Sequence, residues 1–153
     1  MSKKIKNTDV VKKGASGITL SKLKPPQGKG ISFSFKYYQD NHNKFSCKKK
    51  EGSYWLTLLD RLKALSSLTA QELLADRSST LRCHPIKWEE TSEKSGFGLP
   101  NEEQLVDIPY QLSISANENG RVHGFFINET FYIVWLDPDH LLYPEKKKNS
   151  QKG

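Results

Sequence analysis

The sequence predicts an α+β fold: a mainly antiparallel sheet with an N-terminal strand, a helical hairpin on one face and a C-terminal three-stranded meander. Three patterns carry that expectation. Apolar and polar residues alternate with period two over residues 31–38 and again over 110–115, apolar residues recur at helical spacing over 54–65, and residues 120–140 read as a β-hairpin.

The first strand alternates Ile31, Phe33, Phe35 and Tyr37 with Ser32, Ser34 and Lys36, and the cluster Gln39, Asp40, Asn41, His42, Asn43 turns it. A basic loop with Lys48, Lys49 and Lys50 follows. In the next stretch Trp55, Leu58, Leu59, Leu62 and Leu65 form an apolar stripe, with Asp60, Arg61 and Lys63 turned outward. A second, shorter helix is predicted from Thr69 to near Asp76, because Thr69 and Glu72 stand at capping-box spacing and can satisfy each other's orphan amides. Residues 82–88 read as a short edge strand, the position that tolerates Pro85. Residues 89–109 are polar and broken by glycine and proline, so a long surface loop is expected. Residues 110–115 form the next strand, which turns at 117–120 into the hairpin.

The two hairpin runs flank a polar Asn128, Glu129, Thr130 connection, and Pro138 stops the second run two residues before His140. Antiparallel pairing across so short a loop sets the start of one strand beside the end of the other. Arg121 and His140 are therefore expected at the same end of the sheet. A guanidinium beside an imidazole is a place for phosphate chemistry; the plainer alternative is that Arg121 pairs with Asp137 or Asp139 and His140 caps a turn.

The 153 residues fit one domain flanked by arms: a flexible basic arm at 1–30, the domain at 31–143 and a basic tail at 144–153. Of the net charge of +7, the first thirty residues, with eight lysines and one aspartate, carry +7 and the last ten carry +3, leaving −3 for the domain. The basic arms favour phosphate backbones, ribosomes or an acidic partner, or simply keep the ends solvated. Cys47 and Cys83 lack CxxC spacing and no secretory apolar run follows Met1, so a reducing cytoplasm is expected. No apolar run reaches bilayer length, and no membrane association is expected.

His123, His140 and the nearby aspartates are metal-ligand types without HxH or HxxxH spacing, so neither a metal nor a cofactor is expected. Cys83 and His84 are neighbours on an extended segment and point to opposite faces, which argues against a thiol–imidazole pair. His84 before Pro85 is equally readable as an ordinary extended residue. Phe125, Phe126, Phe131, Tyr132 and Trp135 could stack on bases, but strand alternation sends about half of them into the core.

The order of elements resembles the RelE/ParE superfamily of bacterial toxins, and especially its YoeB-like ribosome-dependent endoribonucleases. The resemblance spans 31–143. It rests on the strand start Arg121, Val122, His123, Gly124, Phe125, on the final strand and its His140 and Tyr143, and on His84, Pro85, Ile86, Lys87 in a loop position. It implies metal-independent cleavage of mRNA, on the ribosome or off it, by a toxin held in check by a cognate antitoxin. His140 would then be the acid or base, Arg121 the phosphate clamp and His84 the second proton carrier, with Lys87, Tyr143, Lys48, Lys49 and Lys50 contacting RNA. The chain departs from the family in its basic arm, its 89–109 segment and the two carboxylates, Asp137 and Asp139, flanking His140. Those carboxylates would repel RNA, and a degenerate site is the alternative they raise. The ParE branch of the resemblance implies instead a noncatalytic protein acting on a nucleic-acid complex or an enzyme such as a topoisomerase.

Overall fold

A computed structural model describes residues 30–76, 82–115 and 120–144. Nearly all of the expected arm and tail, and the turn residues 117–119, lie outside the described residues. Five strands form one mixed sheet: β1 (Ser32–Ser34), β2 (His84–Pro85), β3 (Pro109–Ser113), β4 (Arg121–Ile127) and β5 (Thr130–Asp137). Their order is β1-β5-β4-β3-β2, with β1 parallel to β5 and every other neighbour antiparallel. Three helices complete the described fold: α1 (Gly52–Leu65), α2 (Ala70–Ala75) and the single turn α3 (Glu102–Leu105). The class is α+β, as the periodicities predict.

Helices α1 and α2 cover one face of the sheet. Tyr54, Leu58, Leu62, Leu65 and Leu73 pack there with Leu112, Ile114, Val122, Phe131, Ile133 and Leu136. The α1 stripe differs from the expected one: Leu58, Leu62 and Leu65 are inside, but Tyr54 replaces Trp55, and Leu59 is 60% exposed. Apolar residues cover more than half the circumference of this helix, so spacing alone admits two stripes. Burial of Tyr54, whose hydroxyl accepts from Cys47 Sγ at 3.6 Å, accompanies the observed one. At the start of α2, Thr69 Oγ1 accepts from the Glu72 amide at 3.1 Å, which is one arm of the expected box. A second cap comes from the distant hairpin, where Glu129 Oε2 accepts from the Ala70 amide at 2.8 Å.

The other face carries a second apolar cluster: Phe45, Ile86, Phe97, Phe125, Val134, Trp135 and Leu142. Trp135 is its centre. Its ring lies 4.7 Å from Phe45 and 5.0 Å from Phe97, and its Nε1–H donates to Gln39 Oε1 at 2.8 Å. This cluster corrects the expectation of a surface loop at 89–109. Phe97 is buried, and Trp88, Leu99, Leu105 and Val106 pack against the sheet. The Glu102 carboxylate pins the segment by accepting from the amides of Phe97 at 3.1 Å and Leu99 at 3.0 Å. A polar composition hid the few apolar anchors that seat it.

A bulge in β5 sets both faces. The register steps from His123↔Trp135 to Gly124↔Ile133, leaving Val134 as the extra residue. Val134 and Trp135 consequently enter the same cluster, and beyond them the alternation is inverted, so Leu136 faces the helices and Asp137 the opposite side. The bulge also explains why β1 is shorter than the predicted 31–38. Its parallel ladder ends at Tyr132, the chain turns over Phe35 to Tyr38, and the Gln39 amide then donates to the carbonyl of the bulged Val134 at 2.9 Å. Opposite the bulge, a side chain on Gly124 would run into the Tyr132 carbonyl and the Phe131 ring. Gly124→Ala should lower stability by about 2–3 kcal/mol, the usual cost of overpacking, measured as a shift of the urea midpoint at unchanged slope.

Candidate functional site

On the second face the strand register stacks polar residues in two rungs. His84 pairs with Gln111, Gln111 with His123 and His123 with Trp135; one rung further, Ser113 pairs with Arg121 and Arg121 with Asp137. Residues two apart share a face. His84, Gln111, Arg121 and Asp137 therefore line one recess, closed by His140 and Tyr143 from the segment after β5, with a volume of about 210 Å³. The convergence expected of Arg121 and His140 is present, at the sheet end away from the Asn128 turn.

Asp137 is the organising group. Its carboxylate accepts from the Leu141 amide at 2.8 Å, the Leu142 amide at 2.9 Å and His123 Nε2 at 3.1 Å, and the residue is 1% exposed. These bonds fold the chain back over the recess and hold His140 in the left-handed region at φ 57°, which a non-glycine residue rarely occupies. Burial alone would raise the Asp137 carboxyl, but the His123 bond and the two amides outweigh it and hold it below the usual value. Desolvation pushes His123 below its ordinary 6.5, against the opposing pull of Asp137. A neutral ring also fits the geometry: Nε2–H donates to the carboxylate, while Nδ1, buried without a partner, carries only a lone pair.

Neither of the carboxylates considered for Arg121 forms an ion pair with it among the described residues. Asp137 is engaged as above, and Asp139 pairs with Lys50 Nζ at 3.2 Å. Arg121 is half-buried, and its Nη1 donates to the Gly120 carbonyl at 3.0 Å. Desolvation lowers its pKa and nearby Arg82 lowers it further, with Asp137 opposing. His84 is exposed; its Nε2 lies 3.2 Å from Gln111 Nε2 and its Nδ1 3.3 Å from the Pro85 carbonyl. With the glutamine amide donating to Nε2, the ring carries its proton on Nδ1. Tyr143 stands edge-on to His84 at 6.3 Å, and its hydroxyl accepts from the Lys87 amide at 3.1 Å.

The basic residues expected to contact RNA divide. Lys87 lines a hollow of about 330 Å³ next to the recess, together with His84, Pro85, Glu90 and Tyr143. Lys48 borders a separate hollow with Tyr38, Asp40, Cys47 and Trp55, Lys49 is exposed in the loop, and Lys50 is the partner of Asp139. None of these three lines the recess. A cavity of about 620 Å³ around α3 has Glu102, Glu103 and Asp107 in its lining and neither an imidazole nor a cation.

Sequence reasoning missed Asp137 as an organiser, together with His123 and Gln111. A signal was present: a histidine inside an otherwise apolar strand is bound for the core and needs a partner there. No group of three or more His, Cys, Asp or Glu side chains among the described residues is placed to hold a metal ion, and no described helix is long and apolar enough to cross a membrane. No family model, curated protein or solved structure matches the chain.

Proposed function

We propose that the chain is a metal-independent endoribonuclease of the kind the resemblance implies, a RelE-like toxin acting on mRNA and restrained by a cognate antitoxin. The observation that carries this reading is the gathering of Arg121, His140, His84 and Tyr143 around one recess. Cleavage needs a base to take the ribose 2′-hydroxyl proton, an acid to protonate the departing 5′-oxygen, and positive charge on the phosphorane. His84, with a lone pair on Nε2, suits the base; His140 suits the acid; the Arg121 fork suits two phosphate oxygens. The attack joins O2′ to phosphorus as the bond to O5′ breaks, leaving a 2′,3′-cyclic phosphate and a 5′-hydroxyl. Asp139 is offset by Lys50, and Asp137 is turned inward onto its own donors, which weakens the objection that two carboxylates repel RNA.

The noncatalytic reading draws support from one feature. Trp55, Leu56 and Leu59 leave an apolar strip exposed on α1, the mark of a protein-binding face, which an antitoxin would also use. The readings separate on purified protein. The full chain, in excess chelator, should cut single-stranded RNA to products ending in 2′,3′-cyclic phosphate, and a 2′-deoxy substitution at the cut should block that cut. Intact RNA after prolonged incubation, alone and with ribosomes, would leave the noncatalytic reading.

A further inference from the structure

Between His84 and Thr91 the chain is fixed at several points. His84 and Pro85 pair with β3, the Ile86 amide donates to the Pro109 carbonyl at 2.8 Å, and the Ile86 side chain is buried. Trp88 packs against the second cluster and opens a short 3-10 helix (Trp88–Glu90), where the Glu90 amide donates to the Lys87 carbonyl at 2.9 Å. These anchors leave Lys87 and Glu90 exposed at the two ends of one turn, and both line the hollow of about 330 Å³ with Pro85, His84 and Tyr143. No ion pair among the described residues involves either of them. His84 and Tyr143 also line the recess, so the two concavities share a wall. Three flat rings, one cation and one carboxylate border a space next to the candidate base of the reaction.

We propose that this hollow is a base pocket for guanine, with Glu90 and Lys87 as its specificity-determining residues, so that RNA is cut on the 3′ side of guanosine. The proposal rests on the reading of the recess as an RNA cleavage site. The rings of Pro85, Tyr143 and His84 give the base a surface to stack on. Guanine presents N1–H and N2–H side by side, which a carboxylate takes as two parallel bonds, and O6 and N7 on the neighbouring edge, which suit an ammonium group. Each of the other bases sets an acceptor beside its donor: adenine N1, cytosine N3 and the two uracil carbonyl oxygens. Opposite them the Glu90 carboxylate gains one bond and meets a lone pair. His84 takes the 2′-hydroxyl proton of the nucleotide whose base fills the adjoining hollow, which leaves guanosine 2′,3′-cyclic phosphate on one fragment and a 5′-hydroxyl on the other.

The test uses the full chain and the four ribonucleoside 3′-phosphates, whose single phosphate stands for the scissile one, with inosine 3′-phosphate as a fifth probe. The guanine nucleotide should bind about tenfold more tightly than the adenine, cytosine and uracil nucleotides, as one additional bond to a charged group allows. Inosine 3′-phosphate, which lacks the N2 amino group, should lose most of that margin, and this comparison needs no variant. Glu90→Gln should bring the ratio of guanine to adenine binding close to one, and Arg121→Gln should weaken all five probes. Equal binding of the four nucleotides, or a guanine preference that survives Glu90→Gln, overturns the pocket without touching the nuclease reading. Cuts that map evenly after all four bases do the same. A guanine preference that depends on Glu90 in a chain that cleaves no RNA keeps the pocket and overturns the nuclease. Failure of the wild-type chain to bind any probe overturns the pocket, and the cleavage assay still decides the nuclease.

Discussion

Replacing Asp137 with alanine should remove about 3–5 kcal/mol of folding stability, the usual cost of breaking a buried, hydrogen-bonded charge. Three donors lose their acceptor at once: the His123 ring and the amides of Leu141 and Leu142, two of them on residues with no exposed surface. Loss of that size consumes much of a typical domain's margin, so the variant should be partly unfolded at 37 °C. Asp137→Asn should cost less, because its carbonyl oxygen keeps one amide while its NH2 faces a donor. Both changes should free the 138–143 segment, detected as faster amide exchange at Leu141 and Leu142. The same pair governs pH. His123 has a folded pKa below 6.5, so its share of stability is present above 6.5 and drains as the pH falls. Asp137, depressed below its ordinary 3.8, loses its share only at still lower pH. Wild-type stability should therefore fall in two steps on acidification, and His123→Gln, though less stable at neutral pH, should lack the upper step. A denaturation midpoint that is flat between pH 7 and 5 would contradict the neutral, buried assignment of His123.

The hairpin and the meeting of Arg121 with His140 were legible because they follow from local signals: two β-rich runs, a short polar turn and a proline stop. His84 reached the same recess from the edge strand β2 and Tyr143 from the segment after β5, and only the resemblance suggested placing them there. The bulge was illegible. Val134 and Trp135 are both apolar, so nothing in the pattern marks which of them breaks the alternation, yet that one residue decides whether Asp137 faces the helices or the recess. The seat of 89–109 was hidden for a related reason, since Phe97, Leu99, Leu105 and Val106 follow no period, and the Glu102 side chain that holds the first two does so through bonds to loop amides that no sequence pattern marks. The stripe on α1 was misplaced by one residue, Tyr54 standing where Trp55 was expected, because a helix rich in leucine underdetermines its buried side.

His140→Ala should lower the rate of RNA cleavage by about 100-fold or more while leaving the fold intact, the range expected when a general acid is lost. His140 belongs to the segment that Asp137 closes over the recess, where the backbone amides of Leu141 and Leu142 bond to that carboxylate. The ring can be truncated without removing those bonds, and alanine keeps the Cβ, so the backbone strain at φ 57° is not relieved by the change. Arg121→Ala is expected to lose as much activity through a different route, weaker binding of the charged transition state, with some loss of stability from its half-buried stem. Expressed in bacteria, the wild-type chain should arrest growth and lower translation, and both variants should be tolerated at equal protein level. Each variant must first match the wild-type circular dichroism spectrum and melting point, within the modest shift allowed for Arg121→Ala. Growth arrest that persists in both folded variants would separate toxicity from the recess. It would move the functional surface to the exposed strip of Trp55, Leu56 and Leu59, where Leu56→Asp with Leu59→Asp should then relieve the arrest that the recess variants do not.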